Sequence, residues 1–91
     1  MIFEWDDQKS KANQKKHGVS FQEALTVFSD PLSITVSDPE HSETEYRFID
    51  IGLAESGRVL VVSYTERGTH IRIISSRPAL PAERRIYEEG D

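Results

Sequence analysis

The most restrictive feature of this sequence is a change in the spacing of its apolar residues at Pro31. Before Pro31, apolar side chains recur at helical spacing behind a serine and a glutamate placed as a capping box, Ser20 and Glu23. After Pro31, apolar and polar residues alternate, which is typical of half-buried strands. A chain that passes from helix to strand in this way is expected to form an α+β domain.

Residues that favour helix and strand ends divide the chain further. Asp6 is placed as an N-cap and Gly18 as a terminator, so two short N-terminal helices should meet at Gly18. Pro81 should open a last helix that runs to Tyr87. Strands are predicted over Ile2 to Trp5, Leu32 to Val36, Thr44 to Leu53, Arg58 to Thr65 and His70 to Arg77, with a loop from Asp38 to Ser42. We therefore expect one domain over residues 1–91, with two N-terminal helices packed on one face of a small antiparallel sheet and a short C-terminal helix.

The turns predict how three of the strands pair. If Leu53 pairs with Arg58 and Thr65 with His70, apolar side chains collect on one face, which should pack against the helices. That face carries Ile49, Ile51, Leu60, Val62, Tyr64, Ile71 and Ile73. The opposite face mixes aromatic, hydroxyl and basic groups, as surfaces for single-stranded RNA do, although ordinary exposed strands contain the same residue types. It carries Tyr46, Phe48, Ser63, Thr65, His70 and Arg72.

The net charge of −5 is atypical of a general nucleic-acid binder, but the charges are unevenly distributed. Seven acidic residues and one basic residue lie between Asp30 and Gly57, whereas six arginines and two glutamates lie between Arg58 and Tyr87. This asymmetry fits one basic working face on an acidic protein, and it fits a mixed soluble surface equally well.

Several functional classes are disfavoured by what the sequence does not contain. The absence of cysteine excludes disulfides and a thiolate nucleophile, and it favours a cytoplasmic protein. The histidines show no metal-ligand spacing, so no metal or other cofactor is expected. The N-terminal residues do not resemble a signal peptide, and the longest apolar run, Val59 to Val62, is too short to cross a bilayer, so we expect no membrane association.

The arginines of the last hairpin are the main candidates for chemistry. Metal-free cleavage of RNA requires a base for the 2′-hydroxyl, a cation for the charge on the reacting phosphate and an acid for the leaving oxygen. Arginine suits the second role because its planar guanidinium matches phosphate oxygens. The candidates for this role are Arg67, Arg72 and Arg77, and the candidates for base or acid are Glu66, His17, His41 and His70.

Two of these candidates, Arg77 and His17, and the two arginines of the last helix also have a structural interpretation. Arg77 could instead form an ion pair with Glu83. His17 follows two lysines at a helix end, where a cation interacts favourably with the helix dipole. Arg84 and Arg85 are expected to lie on a solvated helix face.

Several blocks of the sequence, taken in order and spacing, resemble a known family. In the first half they are Phe3-Glu4-Trp5-Asp6, Lys16-His17-Gly18-Val19-Ser20-Phe21 and Phe28-Ser29-Asp30-Pro31. In the second half they are Arg47, Gly57-Arg58, Tyr64-Thr65-Glu66-Arg67-Gly68, Ile71-Arg72-Ile73-Ile74-Ser75 with Arg77, and Glu83-Arg84 with Tyr87. Together they are similar to the BrnT family of toxins over nearly the whole chain. One departure is Ser76, where alanine is expected.

The resemblance implies a RelE-like fold and a metal-independent endoribonuclease that halts translation by cutting RNA. It also implies a BrnA-type antitoxin with a ribbon-helix-helix DNA-binding domain, so that the toxin contacts DNA only through the antitoxin. By position, Arg67 and Arg77 resemble the active-site arginines. Glu66, Tyr64 and Thr65 are close by in the same block, and Lys16 and His17 match the family's KHG block. With the predicted sheet face, this makes Arg67, Arg77, Glu66 and His17 the expected catalytic residues. The expected RNA-binding residues are Lys16, Tyr64, Thr65, His70 and Arg72. The alternative function is a non-enzymatic binding partner of a DNA-binding antitoxin.

Overall fold

The computed structural model describes residues 1–38 and 45–90, and it confirms the expected α+β class. The elements in chain order are β1 (Ile2–Glu4), α1 (Asp7–His17), α2 (Phe21–Leu25), a short 3-10 helix (Thr26–Ser29), β2 (Ile34–Ser37), β3 (Arg47–Leu53), β4 (Val59–Arg67), β5 (His70–Pro78) and α3 (Pro81–Glu89). The loop predicted after Asp38, the predicted strand start at Thr44, and His41 lie outside the described residues.

The first N-terminal helix begins and ends where the sequence predicts, and the second begins there, but the helix expected to run to Pro31 changes to a 3-10 helix at Thr26. The Asp6 carboxylate accepts hydrogen bonds from the backbone N–H groups of Gln8 and Lys9, at 2.8 and 3.2 Å. Gly18 ends α1 with a φ of 73°, a left-handed conformation that glycine adopts without strain. The Ser20 hydroxyl accepts a hydrogen bond from the backbone N–H of Glu23 at 3.1 Å. Ser20 thereby caps α2, which begins at Phe21, three residues after Gly18.

The sheet has the strand order β1-β5-β4-β3-β2. Neighbouring strands from β2 to β5 are antiparallel, as expected, whereas β1 lies parallel to β5. This parallel pair is possible because α1, α2 and three strands separate β1 from β5 in sequence.

The predicted pairing of β3 with β4 is wrong by one residue. Leu53 pairs with Val59, and Ile51 with Val61. The reason is the turn: the Ala54 N–H donates to the Arg58 carbonyl at 2.8 Å, so Arg58 closes the turn and does not enter the ladder. A one-residue slip exchanges the faces of a strand. Ile49, Ile51 and Phe48 therefore lie on the faces opposite to those predicted for them.

The pairing of β4 with β5 differs by two residues, because a two-residue turn places Arg67 opposite His70. A shift of two leaves each residue on its predicted face. Tyr64 lies opposite Ile73 and Thr65 opposite Arg72, after which a bulge between Ser63 and Tyr64 changes the register again.

Both faces of the sheet carry apolar clusters. We call the face that packs against α1 and α2 the back face, and the face that carries Arg47, Thr65 and Arg72 the front face. The main core lies on the back face and consists of Val19, Phe21, Ala24, Val27, Ala54, Leu60, Val62 and Ile73. On the front face, α3 covers a smaller cluster of Ile51, Val61 and Ala79 through Tyr87. Helices α1 and α2 therefore cover the back face, while α3 covers one end of the front face.

None of the helices in the described part of the chain is long and apolar enough to cross a membrane.

Candidate functional site

The end of the front face away from α3 carries a row of polar side chains across three strands. Thr65 on β4 lies between Arg47 on β3 and Arg72 on β5, its direct partners in the two ladders. Arg67 follows two residues later on the same face, opposite His70. The sheet thus brings these five residues together because their side chains lie on the same face of adjacent strands.

Two carboxylates accompany these arginines. Arg67 contacts Glu45 through two hydrogen bonds of 3.2 Å each, from Nε and Nη2. Arg72 forms a longer ion pair with Glu4 of β1, at 3.9 Å. We call Arg47, Arg67 and Arg72 with Glu4 and Glu45 the arginine cluster.

The charges of the cluster act on one another. The hydrogen bonds from Arg67 lower the pKa of Glu45 below its usual value, partial burial opposes this, and the charges of Arg67, Arg47 and Arg72 lower it further. Glu45 in turn raises the pKa of Arg67, with a smaller contribution from Glu4. The Glu45 carboxylate therefore lies in the electric field of three guanidinium groups. An anionic ligand bound at the same place would lie in that field too.

Arg77 lies on the same strand as Arg72, but it belongs to a different environment. Its guanidinium donates to both oxygens of Glu83 on α3, at 2.7 and 2.8 Å, and this pair raises the pKa of Arg77. The structural ion pair that the sequence allowed is present. Arg77 is five residues beyond Arg72, which corresponds to about 16 Å along an extended strand. The structure therefore does not place Arg77 in the arginine cluster.

Tyr64 lies on the back face, inside the core. It is 4% exposed, and its hydroxyl donates to Asp50 Oδ1 at 2.8 Å. Its ring packs against Phe28 and Phe48, with ring centroids 4.9 and 5.7 Å apart. Burial and the bond to Asp50 raise the pKa of Tyr64 far above its usual value. Glu66 has the same parity as Tyr64 and is exposed, so it also lies on the side of the sheet opposite the cluster.

Lys16 and His17 lie at the C-terminal end of α1, Lys16 exposed and His17 partly buried. The helix packs on the back face, where the side chain of Asn13 bonds the backbone of Ser76. The sheet therefore separates these two residues from the arginine cluster. Among residues 1–38 and 45–90, no three potential ligands are grouped as a metal site would require.

Sequence reasoning did not place Arg47, Glu45 or Glu4 in the site. Arg47 entered only as a residue of the family's blocks. Its position in the alternation of β3 was the signal that could have found it. The predicted pairing of β3 with β4 was wrong by one residue, however, and so assigned Arg47 to the wrong face. Glu4 was not found because the sequence does not reveal that β1 lies beside β5.

Comparison with known proteins assigns the chain to a family. The family described as ribonuclease toxin, BrnT, of type II toxin–antitoxin system matches residues 5–83. Among solved structures, the fold is similar to the 1.1 Å crystal structure of the ribonuclease toxin BrnT of Brucella abortus, with a TM-score of 0.63 and 23% identity over 88% of this chain and 99% of that chain. At this identity, the likeness concerns the fold. No match was found among curated proteins.

Proposed function

This chain belongs to the BrnT family of ribonuclease toxins of type II toxin–antitoxin systems, and on that premise we propose that it is a metal-independent endoribonuclease that binds RNA phosphate at the arginine cluster. Cleavage of RNA by this route would halt translation. An RNA substrate would place its action in the cytoplasm.

The observation that carries this proposal is the grouping of Arg47, Arg67 and Arg72 at the end of the front face away from α3, in a chain of net charge −5. Guanidinium groups arranged in this way can bind a phosphate and stabilise the additional negative charge of the transition state. Arg67 and Arg72 remain accessible, with side chains 50% and 31% exposed. They can exchange their carboxylate partners for substrate because exposed ion pairs are weak.

Proton transfer requires a further group beside the cluster. Glu4, Glu45 and His70 lie there and are chemically able to accept or donate a proton. Glu45 contacts Arg67 directly, and His70 lies opposite Arg67 in the ladder. We therefore assign proton transfer to one or more of Glu4, Glu45 and His70. The sequence-based roles of Lys16, His17, Tyr64, Glu66 and Arg77 stay predictions.

The test is cleavage of a defined RNA by the purified chain, freed of antitoxin, in the presence of a chelator. We expect wild-type protein to cleave it, and the double variant Arg67→Ala, Arg72→Ala to lose at least about 100-fold in rate, the size of effect seen when an oxyanion-stabilising group is removed. The matched control is Arg84→Ala, Arg85→Ala, which removes two exposed arginines from α3 and should cleave normally. Cleavage that stops with the chelator would contradict metal independence, and normal cleavage by the Arg67, Arg72 variant would contradict the site.

We also propose that a BrnA-type antitoxin with a ribbon-helix-helix domain neutralises the chain, and that the chain reaches DNA only through it. Charge complementarity favours an acidic or apolar antitoxin segment lying across the arginine cluster. Co-purification with the neighbouring gene product tests this. A complex in which Arg67 and Arg72 remain as reactive to an arginine-modifying reagent as in the free chain would contradict it.

A second candidate is a non-enzymatic binding partner of the antitoxin. It is favoured by the carboxylates of this chain that already contact Arg67 and Arg77. RNA that remains intact with wild-type protein, alongside normal antitoxin binding, would select this candidate.

A further inference from the structure

Two fully buried hydroxyl groups lack a hydrogen-bond partner within the described part of the chain, those of Thr65 and Ser76. Thr65 is 0% exposed and Ser76 2%. Most buried hydroxyls in proteins are paired, because an unpaired one has given up its bonds to water without replacing them. The two groups differ in place: Ser76 lies on the back face beside α1, whereas Thr65 lies on the front face within the row of arginines.

The position of Thr65 suggests what its hydroxyl can bind. Arg47 and Arg72 are its direct neighbours on the adjacent strands, where opposed Cβ atoms are about 5 Å apart. Arg67 follows on the same face of β4, about 7 Å away along the strand. A hydroxyl is both donor and acceptor, whereas the surrounding guanidinium groups only donate. The ligand that all of these groups can donate to at once is an oxyanion.

We propose that Thr65, Arg47 and Arg72 form a subsite for one phosphate group of RNA, in which the Thr65 hydroxyl donates to a non-bridging phosphate oxygen. This proposal rests on the proposed ribonuclease function. Because Thr65 is covered in the free protein, the phosphate reaches it when a flanking side chain turns outward. Arg72 is suited to that movement, since its ion pair with Glu4 is long, at 3.9 Å.

The decisive variant is Thr65→Val, which keeps the shape of the side chain and removes the hydroxyl. Because that hydroxyl has no partner in the folded protein, the thermal midpoint should be equal to or higher than that of wild type. Because Thr65→Val removes a hydrogen bond to a charged group, it should lower kcat/KM for RNA cleavage by about 10- to 100-fold. The affinity for a 2′-O-methyl RNA, which binds but cannot be cleaved, should fall by a similar factor. Thr65→Ser, which retains the hydroxyl, should restore most of both.

The matched control is Ser76→Ala, because it removes the other unpaired buried hydroxyl from the opposite face. Its thermal midpoint should also equal or exceed that of wild type, while RNA cleavage and RNA affinity stay unchanged. The pair of variants separates a role in RNA binding from the general effect of removing an unpaired hydroxyl.

The outcomes distinguish this subsite from the function on which it rests. If wild type cleaves RNA and Thr65→Val cleaves it equally well, the subsite is wrong and the ribonuclease stands. If wild type cleaves no RNA but Thr65→Val weakens binding of the 2′-O-methyl RNA, the function is wrong and the phosphate subsite stands. A large drop in the thermal midpoint of Thr65→Val would overturn the subsite, because the hydroxyl would then be structural. Normal RNA binding with weakened antitoxin binding would also overturn it, in favour of an acidic side chain of the antitoxin.

Discussion

The polar groups on the two faces of the sheet differ in how firmly they are held. On the back face, the Asn13 side chain makes three hydrogen bonds to buried backbone groups, at 2.8, 2.8 and 3.2 Å. Asp50 accepts from Tyr64 and Thr35 at 2.8 and 2.7 Å. In the arginine cluster on the front face, the ion pairs of Arg67 and Arg72 measure 3.2 and 3.9 Å, and both side chains are accessible to solvent.

This difference separates groups that hold the fold from groups that can exchange partners. A buried hydrogen bond is costly to break because the group left behind is not rehydrated. An exposed ion pair contributes little and is readily replaced by another anion. Substitutions on the back face should therefore reduce stability, and substitutions in the arginine cluster should reduce activity.

The largest expected effect on stability is that of Asn13→Ala. It leaves the carbonyls of Val19 and Ser76 and the N–H of Ser76 without their partner between α1 and β5. We expect a loss of about 3 kcal/mol in the free energy of unfolding, measured with urea. The neighbouring exposed residue provides the control, since Gln14→Ala should be nearly neutral. Equal stability of the two variants would mean that the back-face network does not hold α1.

The next effect is that of Gly52→Ala, which tests the observed register of β3. A Cβ at Gly52 would lie 2.8 Å from Val27 Cγ1 and 2.9 Å from Ser33 Cβ, so the back-face core would have to shift. Overpacking of this kind should lower the free energy of unfolding by about 2 kcal/mol. In the register predicted from the sequence, residue 52 would point away from the helices and tolerate alanine. Unchanged stability of Gly52→Ala would therefore favour that register.

The register shows where the sequence ceased to predict the fold. The helix ends followed from local groups, Asp6, Gly18 and Ser20, whose hydrogen bonds are made within a few residues. The pairing of β3 with β4 depends on which atoms close the turn after Ala54, and a period-two pattern fits either face when both faces are partly apolar. Both faces are apolar here because α3 covers Ile51 and Val61.

The candidate site was predicted in part for the same reason. Thr65, His70 and Arg72 share the front face as predicted, since the two-residue shift of β5 preserved their parity. Arg67, which was expected at the turn, lies in β4 and joins them on that face. Arg47 was missed because the shift of β3 was a single residue. The separation of Arg77 from Arg72 depends on the docking of α3 through Glu83, a tertiary contact that the sequence offered only as an alternative.

A smaller effect is expected for the back-face ion pair of Arg58 with Glu23, and it should depend on pH. Hydrogen bonds from Arg58 lower the pKa of Glu23, so this contribution is present above the unfolded pKa and is lost as pH falls through the lowered value. Arg58→Ala should reduce the free energy of unfolding by about 1 kcal/mol at pH 7, allowing for partial exposure. The difference from wild type should shrink as pH falls through the lowered pKa of Glu23 and vanish once that carboxyl is protonated in the folded protein. The control Arg85→Ala should show no such pH dependence, and a difference that persists in acid would mean that Arg58 acts mainly through the Gly18 carbonyl, to which it also donates.

The smallest effect on stability is expected for Arg67→Ala, which should not change the unfolding midpoint measurably. Its side chain is 50% exposed, and its two bonds to Glu45 lie on the surface. The variant should nevertheless raise the pKa of Glu45 toward its usual value, because the largest lowering influence on that carboxyl is removed. A titration of Glu45 followed by NMR, beside urea unfolding of the same protein, measures both. If Arg67→Ala destabilised the protein as much as Arg58→Ala does, the arginine cluster would be part of the framework, and the distinction between the two faces would fail.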